Sequence, residues 1–274
     1  MKCGILLAAF GSGSVQGEST LKLFDAEVRE RFPHLPVRWA FTSGVLRGRL
    51  AAARKKSDSV RKALEKMWFE KYTHVAVQPL QIIPGNEYTE LCAEVAVLQG
   101  PQCFTALGVG APLLASDADV ARAAAAIVQH LPPQRTAGEA VILMGHGARH
   151  RAVACYDALG QAVRLLDAAV YVGTMNGAVQ LEHILPHLGT AAPESRVWLM
   201  PLLSVVGRHT LHDMAGTNPQ SWRSRIEAAG FTCIPVLKGT AEYGGFITLW
   251  LDHLAHVVKQ LDLGMISPSP NKNT

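Results

Sequence analysis

Several large protein classes are excluded by what this sequence lacks. No apolar run in its 274 residues approaches the roughly 20 residues a membrane-spanning helix needs. The five cysteines, Cys3, Cys92, Cys103, Cys155 and Cys233, are odd in number and form no Cys-x-x-Cys pair. Neither a disulfide framework nor a cysteine-rich zinc site therefore organises the fold, and a reducing cytoplasm is the expected location. No P-loop and no Gly-x-Gly-x-x-Gly string is present, so little supports a nucleotide site. The Gly-x-Ser-x-Gly elbow of serine hydrolases and the His-Glu-x-x-His of zinc proteases are missing as well. Charge of either sign is scarce in excess: 26 Lys and Arg against 22 Asp and Glu leave +4. The densest basic run, Arg47 to Lys62, is not interleaved with aromatics as a single-strand nucleic-acid platform requires. It reads first as a solvated helix face and second as an attractor for a small polyanion. No nucleic-acid partner and no membrane is expected.

What is present is the composition of a soluble α/β protein, 49% hydrophobic and 18% charged. The opening "MKCGILLAAFGSGS" has a Lys, a short apolar run and small residues in the manner of a signal peptide. The run is too short, and it is read as a first buried strand. Further apolar runs predict strands at 37–43, 74–82, 140–145, 169–173, 196–204 and 231–236. Amphipathic stretches predict helices near 17–31, 60–71, 87–98, 117–130, 152–166, 178–188, 221–229 and 245–261. Such alternation predicts parallel sheets covered by helices on both faces. The Pro- and Gly-rich stretch "LPPQRTAGEA" divides the chain. The expected organisation is an N-terminal α/β lobe over 1–130, a linker over 131–138, a C-terminal α/β lobe over 139–264, and a disordered tail over 265–274.

The halves repeat one another. Each opens with an apolar strand ending in a glycine turn, "ILLAAFGSG" and "VILMGHGAR". Each later carries an apolar strand with a proline, a following glycine, and a polar side chain two residues on. These are Pro79, Gly85 and Glu87 in the first half, and Pro201, Gly207 and His209 in the second. The three offsets, 201 − 79, 207 − 85 and 209 − 87, are all 122. Pseudo-symmetric lobes would face each other with strand C-termini at a shared cleft, where open α/β sheets bind ligands.

That placement singles out three residues. Glu87 and His209 stand at equivalent strand-end, helix-start positions. The helix dipole disfavours a charged imidazole there, and a neutral one can bind metal or accept a proton. His146 stands between Gly145 and Gly147, whose small size admits a large ligand. Each has a structural alternative: Asn86 can cap a helix whose first turn favours an acid such as Glu87, and His146 can be satisfied by backbone. His150, four residues after His146, and His212, three after His209, are weaker candidates. His183, His187, His253 and His256 fit surface or packing positions.

Taken together, "AFTSG" (40–44), "QPLQIIPGNEY" (78–88), "MGHGARHRAVACYDAL" (144–159), "LMPLLSVVGRHTLHDMAG" (199–216) and "SWRSRIEAAGF" (221–231) resemble the anaerobic sirohydrochlorin cobaltochelatases of the CbiK type, within the class II chelatase fold. The resemblance covers 1–261. It implies two similar α/β lobes around a tetrapyrrole cleft, with the family's two metal-site histidines falling on His146 and His209 and its active-site glutamate on Glu87. It implies ATP-independent insertion of Co²⁺ into sirohydrochlorin or precorrin-2 in the anaerobic cobalamin pathway. Co²⁺ is then a substrate and no cofactor is permanently bound. Fe²⁺ insertion toward sirohaem or haem, and a non-catalytic metal or tetrapyrrole carrier, are the alternatives. The residues expected to face the macrocycle are Phe10, Gly11, Ser12, Ser43, Pro84, Gly85, Met175 and Arg208. A homo-oligomer is compatible with the family. The chain departs from the family pattern at Arg208, where Asp is usual, at His212 for Asn, at Asn176 for an acid, and around Glu242.

Overall fold

Strand β1 (Cys3–Ala9) is buried along its whole length, because it is the second strand of a parallel sheet covered on both faces. The computed structural model describes residues 1–100, 103–148, 151–189 and 195–263; the expected tail at 265–274 and His150 lie outside the described residues. The first sheet is completed by β2 (Val37–Phe41), β3 (His74–Pro79) and β4 (Ala106–Val109), in the order β2-β1-β3-β4. The second consists of β5 (Ala140–Gly147), β6 (Val170–Asn176), β7 (Arg196–Leu202) and β8 (Thr232–Pro235), in the order β6-β5-β7-β8. Every pairing is parallel. The same order twice is the expected repeat, now seen as topology.

Register makes the repeat exact to the residue. Pro79 pairs with Ala8, and Pro201 with Met144. Two residues beyond these partners come Phe10 and His146. One further on come Gly11 and Gly147, both in the left-handed region at φ 92° and 79°. The N-terminal lobe therefore carries Phe10 where the C-terminal lobe carries His146.

The helices are α1 (Val15–Arg31), α2 (Gly44–Ala52), α3 (Val60–Phe69), α4 (Asn86–Val97), α5 (Asp117–Gln129), α6 (Ala154–Leu166), α7 (Leu181–Ile184), α8 (Trp222–Ala228) and α9 (Gly244–Gln260). Strand alternation sorts the core. Ile5, Leu7 and Ala9 join Val141 and Leu143 of the other sheet in one continuous core with α1, α5, α6 and α9. Leu6 and Ala8 face the opposite way, onto α3 and α4. Ile142 and Met144 do the same onto Trp222 and Ile226 of α8. Helix α9 packs on β3, β4 and α5 rather than on the sheet that precedes it. The span 139–264 thus gives its last helix to the first sheet, because α9 buries Trp250, edge-on to Phe24 of α1 at 5.9 Å, in the shared core. Such a pair contributes about 0.5–1.5 kcal/mol beyond its buried area.

Polar groups also fasten α9. His253 places Nε2 3.0 Å from Asp119 Oδ1 and Nδ1 3.1 Å from the Ala111 carbonyl. At the end of α5, His130 Nε2 accepts the Gly245 N–H at 3.3 Å, so that nitrogen must keep its lone pair. Burial first, and the Lys238 charge second, lower the His130 pKa below its ordinary 6.5. The sign follows: an unfolded chain takes the proton at higher pH than the folded one. The stability this site contributes is full above about 6.5 and is lost as pH falls through the lowered folded value. Thermal melts of the wild type and His130→Gln across pH 7.5 to about 5 check this. The wild type is expected to lose more of its melting temperature over that range than the variant.

Candidate active site

The floor of the cleft is made by the loops after β1 and β7, which are tied together. Ser12 and Ser14 hydroxyls both donate to the Val206 carbonyl, at 2.9 and 2.8 Å. Ser14 also caps α1 by accepting the Gly17 N–H at 3.0 Å. Ser12 is buried. Its expected role at the macrocycle is corrected accordingly, since its hydroxyl is committed to joining the lobes just ahead of His209. A second tie lies behind it: Glu242 accepts from Thr20 Oγ1 at 2.8 Å and from its own Gly239 N–H at 2.9 Å. Glu242 is a lobe-joining residue.

After Val206 the chain enters a π-helical turn, His209–Met214, with Arg208 as its N-cap. Its wider ring is closed by the Ala215 N–H donating to the Thr210 carbonyl at 3.1 Å. Such turns occur mostly as single insertions at functional sites. Here the turn sets His209 Nδ1 2.6 Å from Asp213 Oδ2. A carboxylate at this distance accepts, so Nδ1 carries the proton and Nε2 keeps its lone pair. Asp213 was not singled out in the sequence; its four-residue spacing after His209 is the signal that could have found it. His212 enters only through its carbonyl, which accepts from Asn218 at 2.9 Å.

Across from this turn, β5 ends in Gly145-His146-Gly147. A Cβ on Gly147 would stand 1.9 Å from the Asn176 carbonyl oxygen and would need a positive φ, so only glycine fits. The departure at Asn176 therefore matters through its backbone. His146 is exposed to the cleft, with Nδ1 3.1 Å from the Gly147 carbonyl. A carbonyl only accepts, so here again Nδ1 is the protonated nitrogen and Nε2 is free. The His146 and His209 rings stand 5.0 Å apart, centre to centre, at 63°. A metal about 2.0–2.1 Å from each nitrogen lies about 3.2 Å from each ring centre, which sets the centres about 4.5–5.2 Å apart at octahedral to tetrahedral angles. The observed separation falls inside that interval.

Glu87 lies in the first turn of α4. The helix is capped by the Gly85 backbone with no side-chain bond, so Asn86 is the first helical residue and not the cap. Burial raises the Glu87 carboxyl above its ordinary range; His146 pulls it down and Glu90 pushes it up. Glu87 thus faces the histidine pair electrostatically. Among the described residues, no three His, Cys, Asp or Glu side chains gather closely enough to hold an ion together. The expected three-residue set is realised as two adjacent imidazoles with Glu87 standing off. A cavity of about 140 Å³ beside Glu87 is lined by Thr42, Arg47, Ser59 and Glu94 among others.

The remaining expected contact residues differ in what they offer. Phe10 is 47% exposed at the strand-end position equivalent to His146. Gly11 is pressed against Leu46 and Phe41 and admits no side chain. Ser43 caps α2 through the Leu46 N–H. Pro84 and Met175 are half-buried, and Gly85 is buried. Arg208 is exposed and makes no ion pair or hydrogen bond among the described residues. In the basic run, Arg47 is committed to the Phe41 and Thr42 carbonyls and Lys55 to Glu18, whereas Arg49, Arg54 and Lys56 are exposed.

Replacing Asp213 with Asn tests the π turn. Asparagine can present its amide nitrogen, which suits neither tautomer needed at His209. Co²⁺ affinity of the isolated protein is expected to fall about 10- to 100-fold, read by calorimetry, with the melting temperature nearly unchanged.

Comparison with known proteins gives the following. The family model described as cobalt chelatase (CbiK) matches residues 3–259. A sirohydrochlorin cobaltochelatase, CbiKC, of Nitratidesulfovibrio vulgaris is 63% identical over 261 residues, covering 95% of this chain and 92% of that protein. A sirohydrochlorin cobaltochelatase of Salmonella typhimurium is 32% identical over 259 residues, covering 93% and 96%. Among solved structures, SirB from Bacillus subtilis with Fe³⁺ superposes with a TM-score of 0.64 at 13% identity, covering 96% of this chain and 98% of that one. The cobalt complex of SirB from Bacillus subtilis subspecies spizizenii gives 0.61 at 12% identity, covering 96% and 98%. At such identities these structures establish the fold alone, and it is the class II chelatase fold.

Proposed function

Because the chain belongs to the CbiK cobalt chelatase family, we propose that it inserts Co²⁺ into sirohydrochlorin, with His146, His209 and Glu87 as the working residues. The observation that carries this is the His146–His209 pair, 5.0 Å apart with both Nε2 atoms free. Two imidazoles fit a mid-series divalent ion while leaving most of its coordination sphere to water and the incoming ring nitrogens. That suits an ion to be handed on rather than kept. The ring gives up two N–H protons as the divalent ion enters, so charge balances with no nucleotide. Glu87, with its carboxyl raised by burial, is a better base near neutrality than an ordinary carboxylate. It takes protons as they leave the ring and passes them to solvent through the cavity beside it.

The substrate's carboxylates need cations, and the unpaired Arg208 beside His209 supplies one. Arg49, Arg54 and Lys56 supply a weaker, longer-range attraction. Phe10 offers an apolar face to the ring, and Met175 lies at the opposite lobe's strand end. The protein works in the cytoplasm, where no partner beyond the macrocycle and the metal is required.

The experiment is purified protein with sirohydrochlorin and Co²⁺ or Fe²⁺ in parallel, without ATP, followed by absorbance. Multiple-turnover conversion of the ring spectrum with Co²⁺ is expected. Faster conversion with Fe²⁺ would reassign the metal. Binding of ring or ion with no spectral conversion would make the protein a carrier and overturn the proposal.

A further inference from the structure

His146 needs something to hold it, because a residue between two glycines has little backbone restraint of its own. Alternation along β5 sends the Met144 side chain one way, into the α8-facing core, and His146 shares that parity. Gly145 and Gly147 present their hydrogens to the other side, where α6 packs. One side chain of α6 meets both of them. The ring of Tyr156 lies so close to Gly145 that a Cβ there would stand 2.6 Å from it. The Tyr156 hydroxyl is hydrogen-bonded with the Gly147 backbone. Tyr156 is 4% exposed, and its hydroxyl is a polar group set deep in the core shared by the two sheets.

We propose that Tyr156 is a positioning residue for His146, holding the Gly-His-Gly turn so that the Gly147 carbonyl keeps the proton on Nδ1 and presents a bare Nε2 to the cleft. The geometry is a clamp: the ring braces Gly145, the hydroxyl anchors Gly147, and the imidazole projects from the peptide between them. Crowding by the Asn176 carbonyl closes the remaining side of Gly147. His209 is oriented by a carboxylate on its own turn, 2.6 Å away. His146 has only a neutral carbonyl at 3.1 Å, so its tautomer depends on the backbone staying where Tyr156 puts it. Such outer partners are typically as important to metal affinity as some ligands. This inference rests on His146 being a metal ligand as proposed above, and the test separates the two.

Tyr156→Phe keeps the ring against Gly145 and removes the hydroxyl. The readout is ¹⁵N NMR of the histidine rings in the metal-free protein, with the His146 signals assigned by His146→Gln. The wild type is expected to show one tautomer, protonated at Nδ1, and Tyr156→Phe a mixture of both. Co²⁺ added to the protein without macrocycle should bind the variant about 10-fold or more weakly. In turnover, kcat is expected to fall while KM for sirohydrochlorin stays unchanged, which a general packing defect would not produce. A variant that keeps the single Nδ1–H tautomer and binds Co²⁺ within about twofold of wild type overturns the positioning role. If the variant does not fold, 3,5-difluorotyrosine at position 156, which keeps the ring and weakens the oxygen as acceptor, should move the tautomer ratio in the same direction; an unmoved ratio overturns the role. Failure of Co²⁺ to broaden the His146 signals of the wild type would instead overturn His146 as a ligand, and this proposal with it.

Discussion

His146→Ala is expected to reduce Co²⁺ insertion by about 100-fold or more while leaving the fold intact. The side chain is exposed to the cleft and bonds only the carbonyl of its own neighbour. Its removal therefore opens no core cavity and orphans no distant group. What is lost is one of two metal-binding nitrogens, and with it the 5.0 Å pairing that lets a single ion touch both rings. Turnover measured beside circular dichroism and a thermal melt checks the expectation. A folded variant with near-normal turnover would remove His146 from the mechanism. His146→Gln is expected to fall between the two, since an amide can reach into the cleft but is a poor ligand for a mid-series ion.

The reach of sequence reading here is uneven, for physical reasons. The strand-end positions of Glu87 and His209 were legible because both lobes repeat the proline–glycine spacing, and the structure places them on matching loops. Strand β4 was not anticipated, since "ALGV" is four residues with a glycine inside. Helix α2 escaped notice because its only buried residue is Leu50 and two glycines interrupt it. The π turn could not be read at all: its extra backbone residue per ring leaves no mark in side-chain periodicity, so Asp213 looked like one more helix-surface acid. Ser12 was misjudged for a related reason. Its bond to Val206 spans 194 residues, and nothing local distinguishes a loop serine that faces a ligand from one that ties two lobes. The return of α9 to the first sheet is likewise a matter of topology, since its apolar face is equally compatible with either sheet.

Glu87 separates a catalytic reading from a structural one with opposite signs in two measurements. As a worker in the site, Glu87→Gln is expected to lower insertion about 100-fold, because the amide keeps the shape but can neither take a proton nor carry charge. His209→Ala should cost a comparable factor. The double variant should lose less than the product of the two, since residues that serve one ion and one pair of protons act as a unit. Stability is expected to move the other way. The Glu87 carboxyl is raised in the folded protein, chiefly by burial. A raised acid pKa means that folding becomes less favourable as pH climbs through the unfolded value toward the folded one, and that the cost is carried in full above both. Glutamine has no charge to desolvate, so Glu87→Gln should melt at the same or a higher temperature than wild type at neutral pH. Exchange of activity for stability at one residue is the signature of a strained functional group. A first-turn acid whose only task is to complement the α4 dipole would behave oppositely: its neutralisation would cost about 0.3–1 kcal/mol and leave turnover untouched. Melts and insertion rates on the four proteins of the cycle decide between them, and additive effects with a destabilised, fully active Glu87→Gln would return Glu87 to the helix and leave the site to its two histidines.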